Sequence, residues 1–373
     1  MDIISIIKYL DDPHRDHKKE CSLECILYIT LAGVIVGSEG WDEVEECALC
    51  KRAFFASRIK GFGGVPSENT FNRVFQLLDP VQFESYFRPW IQEICDKYAG
   101  VVSIEGKESG GIRQENSDGS FPNLHMVNAW AIANGITFGE ERAGRESNEI
   151  TAIPALIEIL DLKDCTITID ALECQKEITQ AILKKEANYV ICLKESQSTS
   201  YSKVKNWFEN LDHNQDPSID YDVCSEEKQP RDYIEKRSCD VYSSPELSLM
   251  CAEWEGFKSV ARVCAYRKEI ATGEQREDIR YFITSLSPDA PKISECIGKH
   301  WNIENNLHWQ LNVAFREDDT RKDENAAQNL SLITKTVLMA IKKSPRKVSL
   351  RRKRKAAAWD DTFFVELLDG AWK

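Results

Sequence analysis

With 373 residues, 42% hydrophobic and 29% charged, the chain has the composition of a folded globular protein large enough for one big domain or two ordinary ones, which excludes an intrinsically disordered chain. No apolar run reaches membrane-span length and the start lacks a signal-peptide pattern, so the thirteen cysteines are expected to be reduced, buried thiols. The net charge of −13 speaks against a uniformly basic nucleic-acid binder, but residues 342–355 hold nine Lys and Arg and no acid, leaving −22 on the remainder, a distribution that suits local contact with a polyanion or a solvated basic helix.

Residues 1–98 are predicted to be all-helical. Ser22 to Val36 forms an apolar helix stopped at Gly37, and Trp41 to Phe55 a second. A third helix begins after Pro66, with Ser67 or Asn69 as its cap, and a fourth runs from Val81 to Tyr98 after the Leu78-Asp79-Pro80 turn. On the fourth, Phe83, Phe87 and Trp90 share a face suited to a core. Cys21-x₃-Cys25 and Cys47-x₂-Cys50 can be drawn as a four-thiolate zinc site, although Cys25 sits in an apolar helix and the second pair lacks turn residues.

From residue 99 to 341 the pattern changes. Val101 to Ile104 is a strand ending at Glu105-Gly106-Lys107; Leu124 to Ala133 and Ile136 to Gly139 form a hairpin across Asn134-Gly135. A helix over Glu149–Leu160, the strand Cys165–Ile169 ending in Asp170, a helix over Gln175–Glu186 and the strand Tyr189–Leu193 ending at Lys194 complete the series. Three strands joined by turns and followed by parallel βα units give the ribonuclease-H-like order, an α/β fold in which the first and fourth strands are neighbours. Glu105 and Asp170 would then end adjacent parallel strands. Asp170 alone could equally be a helix N-cap. Residues 195–288 read as a β-rich insertion that continues the sheet or packs beside it. Helix returns over 289–341, where Trp301, Glu304 and His308 fall on one helical face, and residues 342–373 form a basic C-terminal segment.

Three carboxylates, Glu105, Asp170 and Glu304, suit two hard divalent cations such as Mg2+ or Mn2+, which activate an attacking hydroxyl and stabilise the leaving oxygen of a phosphodiester.

The segments Gly64-Val65-Pro66-Ser67, Glu105-Gly106-Lys107, Leu124-His125-Met126-Val127, Ser147 to Pro154, Asp170-Ala171-Leu172, Cys174-Gln175 and His300 to Asn305 with Leu307-His308-Trp309 occur in that order. Together they resemble the H-repeat-associated transposase-like proteins, a branch of the bacterial insertion-sequence DDE transposases. The resemblance covers nearly the whole chain and implies a helical associated domain, a ribonuclease-H-like (retroviral-integrase-like) catalytic domain with a β insertion, and metal-dependent cleavage and joining of double-stranded DNA at element ends and target. It also implies a bacterial cytoplasmic protein acting at the nucleoid, a homodimer, and neither a membrane nor a small-molecule substrate. Carried over by position, Glu105, Asp170 and Glu304 bind metal; Lys107, Lys194 and the basic run Arg351, Arg352, Lys353, Arg354 and Lys355 contact DNA; Asn305, His308 and Trp309 shape the site.

The departures from the family cluster at that site. Glu105 stands where the family has Asp, and one extra methylene moves a carboxylate by about 1.5 Å against a positioning tolerance of about 0.5 Å. Glu173 and Glu195 replace glycines, and Asn312 replaces an Asp. Two readings follow: an active transposase, and a catalytically impaired relative that keeps the fold and DNA binding. A third, a hydrolase using His300 or His308, lacks a readable Ser or Cys partner.

Overall fold

The computed structural model describes residues 10, 21–94, 100–109, 124–131, 136–142, 149–170, 176–194, 198–211, 217–229, 232–300, 303, 307–316 and 324–372. The helical start follows local rules. Helix α1 (Leu23–Val36) is capped by the Ser22 hydroxyl, which accepts from the Cys25 amide at 3.2 Å, and it stops at Gly37, whose φ of 118° is open to glycine. The expected second helix is two, α2 (Trp41–Cys50) and α3 (Arg52–Arg58), broken at Lys51. Helices α4 (Glu68–Leu77) and α5 (Pro80–Ile94) follow, with Phe83 and Phe87 fully buried edge to face.

The two cysteine pairs do not form a metal centre. Cys21 donates to the Gly64 carbonyl at 2.9 Å, Cys50 is exposed, and burial pushes the Cys47 thiol up to about 11. Among the described residues no group of three His, Cys, Asp or Glu stands close enough to hold a metal ion, and no single helix is long and apolar enough to cross a membrane.

One nine-stranded sheet follows, in the order β3-β2-β1-β4-β5-β9-β8-β7-β6. Strand β1 (Val101–Ser109) pairs antiparallel with β2 (Leu124–Ala131), which pairs antiparallel with β3 (Ile136–Arg142). On its other side β1 runs parallel to β4 (Thr166–Ile169), and β4 parallel to β5 (Asn188–Leu193). Helices α6 (Glu149–Ile159) and α7 (Lys176–Lys184) supply the crossovers. The insertion continues the sheet. After α8 (Ser198–Glu209), strands β6 (Asp220–Lys228), β7 (Tyr233–Ser243), β8 (Ser259–Glu269) and β9 (Gln275–Thr284) form an antiparallel meander interrupted by α9 (Pro245–Met250), and β9 pairs antiparallel with β5.

Side-chain alternation separates two cores. Val102, Ile104, Ile167, Ile169, Tyr189 and Ile191 point into the larger one with Ile153, Leu156 and Ile178 of α6 and α7. Val101, Val190, Cys192, Val263 and Phe282 point to the opposite face, against Ile293, Cys296 and Ile297 of α10 (Ala290–His300). By the same parity Glu105, Asp170 and Lys194 belong to the α10 face.

After α11 (Trp309–Phe315), the long α12 (Glu324–Lys343) lies along β2 on that face: Ala327 packs on Met126, Lys335 Nζ donates to Asn128 Oδ1 at 2.6 Å, and Lys342 Nζ stands 4.3 Å over the Trp130 ring. It also ties the N-terminal helices to the sheet, since Asn329 Nδ2 donates to the Phe75 and Leu78 carbonyls at 2.9 and 3.0 Å. Helices α13 (Leu350–Trp359) and α14 (Asp361–Trp372) pack back on α1, burying Phe363, Phe364 and Leu368.

Candidate active site

The parallel β1–β4 register pairs Ser103 with Thr168 and Ile104 with Ile169, so Glu105 and Asp170 stand at the next position of neighbouring strands. Asp170 follows the last residue of β4, as expected. Glu105 does not end its strand: β1 continues through Gly106 and Lys107 to Ser109, paired with β2, and it is only the parallel pairing that stops at Ile104. Both acids are half-buried and line one cleft of about 770 Å³.

The cleft exists because β9 overhangs the sheet. Leu193, at the end of β5, pairs with Tyr281, and β9 runs antiparallel, so residues 275–280 project past the ends of β4 and β5. Arg276, Asp278 and Arg280 of β9, Ala265 and Arg267 of β8 and Glu235 of β7 form the opposite wall. These wall residues were not legible from local sequence. Their signal lies in register: Arg267 is directly opposite Arg276 on β9, a like-charge pair that costs stability, and opposite Glu235 on β7.

His300 closes the floor. Its Nδ1 lies 3.0 Å from Thr168 Oγ1, which is 3.0 Å from Ser103 Oγ. Burial pulls the imidazole down to about 4, the Asp170 charge opposing that shift and Arg280 adding to it, so the ring is neutral near pH 7.

The other sequence candidates divide. Lys194 Nζ donates to Asp170 Oδ2 at 2.9 Å, so its ammonium sits on the central carboxylate rather than standing free for a phosphate. Lys107 shares the Glu105 face one pleat on, opposite Met126, and is only 6% exposed. Lys353 and Arg354 are buried as well. They are 6% and 5% exposed, and their cations donate to backbone carbonyls: Lys353 to Ile341 and Ser344, Arg354 to Val34 and Ala314. Arg351, Arg352 and Lys355 are exposed on the same helix. His308 is buried and Trp309 exposed, and neither lines the cleft. Glu304, Asn305, Glu173 and Glu195 lie outside the described residues; His300 lines the cleft four residues before Glu304, and Ile303 and Leu307 beside that stretch are buried.

Chemically, Glu105 and Asp170 are two adjacent, half-buried oxygen donors, with a cationic ammonium already drawn to one of them. That donor set fits a hard divalent cation. Among the described residues the cleft is lined by five carboxylates and three guanidinium groups, so an approaching phosphodiester meets net negative charge unless a cation is bound.

Comparison with known proteins bears on the whole chain. Residues 100–341 match the transposase DDE domain, and residues 4–91 match the region described as DDE_Tnp_1-associated. The protein YncI of Escherichia coli O157:H7 is 32% identical over 382 residues, covering 99% of this chain and 95% of the relative. The H repeat-associated protein YhhI of Escherichia coli strain K12 is 31% identical over 378 residues, covering 100% and 98%; both carry provisional transposase names. Among solved structures, a piggyBac transposase synaptic complex with hairpin DNA is similar at a TM-score of 0.45 and 10% identity, covering 99% of this chain and 78% of that one. The chain belongs to the DDE transposases.

Proposed function

We propose that the cleft is the site of metal-dependent cleavage and strand transfer of double-stranded DNA, with Glu105, Asp170 and Glu304 as the metal-holding acids. A divalent metal goes with the family; two Mg2+ or Mn2+ ions are the form this donor set suits, and they supply activation of a water or DNA 3′-hydroxyl and stabilisation of the leaving oxygen. The observation that carries the reading is the placement of Glu105 and Asp170 side by side beyond the parallel β1–β4 pairing, inside one cleft. The β3-β2-β1-β4-β5 order, with only β1, β4 and β5 parallel, supports a ribonuclease-H-like core; helices α1 to α5 precede it and the β6–β9 meander is inserted within it.

In this reading Arg267, Arg276 and Arg280 face the incoming phosphates, and the exposed Arg351, Arg352 and Lys355 add contacts along the duplex, so affinity falls with salt. Pairing of two DNA ends suits a homodimer acting at the bacterial nucleoid.

The second reading, a retained fold without cleavage, is favoured by Glu105, whose longer arm shifts one ligand by about 1.5 Å. One experiment separates the two. Full-length protein with Mn2+ is incubated with DNA carrying the element ends, alongside Asp170→Ala and Glu105→Asp. Cleavage by the parent above the Asp170→Ala background supports the active enzyme. Cleavage by Glu105→Asp alone places the defect in the first ligand, and cleavage by none of the three removes the enzyme reading.

A further inference from the structure

The two acid-bearing strands each send one side chain into a single buried hydrogen-bond chain under the cleft, and His300 of α10 completes it. Ser103 precedes Glu105 by two residues on β1, and Thr168 precedes Asp170 by two on β4. Since strand side chains repeat every second residue, both hydroxyls lie directly beneath the acids on the same face. His300 ends α10, four residues before Glu304 in sequence. Thr168 Oγ1 stands between the other two, 3.0 Å from Ser103 Oγ and 3.0 Å from His300 Nδ1. Ser103 and Thr168 are register partners, 0% and 2% exposed.

Nothing about sheet or helix stability demands polarity here. The neighbouring contacts between α10 and the sheet are made by Val101, Val190, Cys192, Ile293, Cys296 and Ile297, and an apolar trio would continue them. Burying three polar groups costs stability unless each is paired, and these pair with one another. What the polar chain adds is geometry. Apolar contacts tolerate sliding, whereas hydrogen bonds hold heavy atoms within a few tenths of an ångström along set directions. A metal site needs its carboxylates held to about 0.5 Å.

We propose that Thr168, hydrogen-bonded between Ser103 and His300, is a positioning residue that sets the spacing of the Glu105 and Asp170 carboxylates and docks the end of α10 against the sheet. The proposal rests on the metal-site reading above. It acts through groups that never touch the metal, as outer partners do in metal sites generally, where their loss costs about 10- to 100-fold in affinity.

The test is Mn2+ titration of the full-length protein, followed by the paramagnetic resonance of the free ion, with Thr168→Val and Thr168→Ser. Valine keeps the shape and branching and loses the hydroxyl; serine keeps the hydroxyl. Thr168→Val should bind Mn2+ at least about tenfold more weakly than the parent while melting cooperatively, and Thr168→Ser should return to within about threefold of the parent. Parental affinity in Thr168→Val overturns the proposal, as does a Thr168→Ser variant as weak as valine, which would assign the effect to packing. Should Thr168→Val not fold, His300→Leu against His300→Asn reads the same contrast, because Asn keeps a polar atom near the Nδ1 position. If the parent binds no more Mn2+ than Asp170→Ala, the metal-site reading fails and this proposal with it; parental binding indifferent to Thr168→Val and His300→Leu sinks this proposal alone.

Discussion

Replacing Arg354 tests whether the basic run is a DNA surface or part of the frame. Its Nε and Nη2 donate to the Val34 carbonyl at 3.1 and 2.8 Å, its Nη1 donates to Ala314, and the guanidinium lies 4.3 Å over the Phe315 ring. Val34 and Ala314 are in the last turns of α1 and α11, where carbonyls lack intrahelical donors and the dipole is negative. Arg354→Ala strands two acceptors at about 1–3 kcal/mol each and loses a cation–π contact of about 0.5–2 kcal/mol. The desolvation of the guanidinium, which pulls it down to about 10, offsets part of that. The net loss is about 3–5 kcal/mol, or roughly 5 °C in melting temperature for a chain of this size. Exposed Arg351→Ala should change stability by less than about 0.5 kcal/mol and weaken DNA binding instead. Thermal melts and DNA titrations of the two variants decide the matter. An Arg354→Ala protein that melts with the parent yet loses DNA affinity would refute the structural assignment.

Two further outcomes follow from the cleft. His300 titrates at about 4 when folded against an ordinary 6.5, so between those values the unfolded chain binds more protons and stability rises with pH. The full contribution is present above pH 6.5 and is lost toward pH 4, about 2 kcal/mol once solvent access to the partly buried ring is allowed for. His300→Asn should flatten that segment of the stability profile; identical acid dependence in parent and variant would contradict a buried neutral imidazole. Lys194→Met should tighten Mn2+ binding by up to about fivefold, because a partly exposed ion pair worth at most about 1 kcal/mol no longer competes for Asp170. Weaker Mn2+ binding would show instead that the ammonium helps to hold the carboxylate in place.

The strands β4 and β5 and the cap-to-glycine span of α1 were legible because each is written in a local code: β-branched alternation, a serine at the entrance, a glycine at the exit. Asp170 was legible for the same reason, as the acid that ends a buried strand. The place of Glu105 beside Asp170 was legible, but its strand was cut short, since Gly106 and Lys107 look like a turn until β2 pairs with them. The division at Lys51 and the burial of Lys107, Lys353 and Arg354 were not legible. A cation's partners here are carbonyls up to 320 positions distant, and composition is blind to them.

By itself the sequence determined the element order from β1 to β5, the acid that follows β4, and the family, because periodicity and motif are properties of neighbouring residues. Only the tertiary structure decided that the insertion extends the sheet, that β9 overhangs the parallel ends to make a cleft, and that Ser103, Thr168 and His300 meet beneath the acids. Those are matters of strand register and helix docking, set by which faces two cores can bury at once. A one-residue shift of β1 against β4 would turn Glu105 or Asp170 from the cleft to the opposite face.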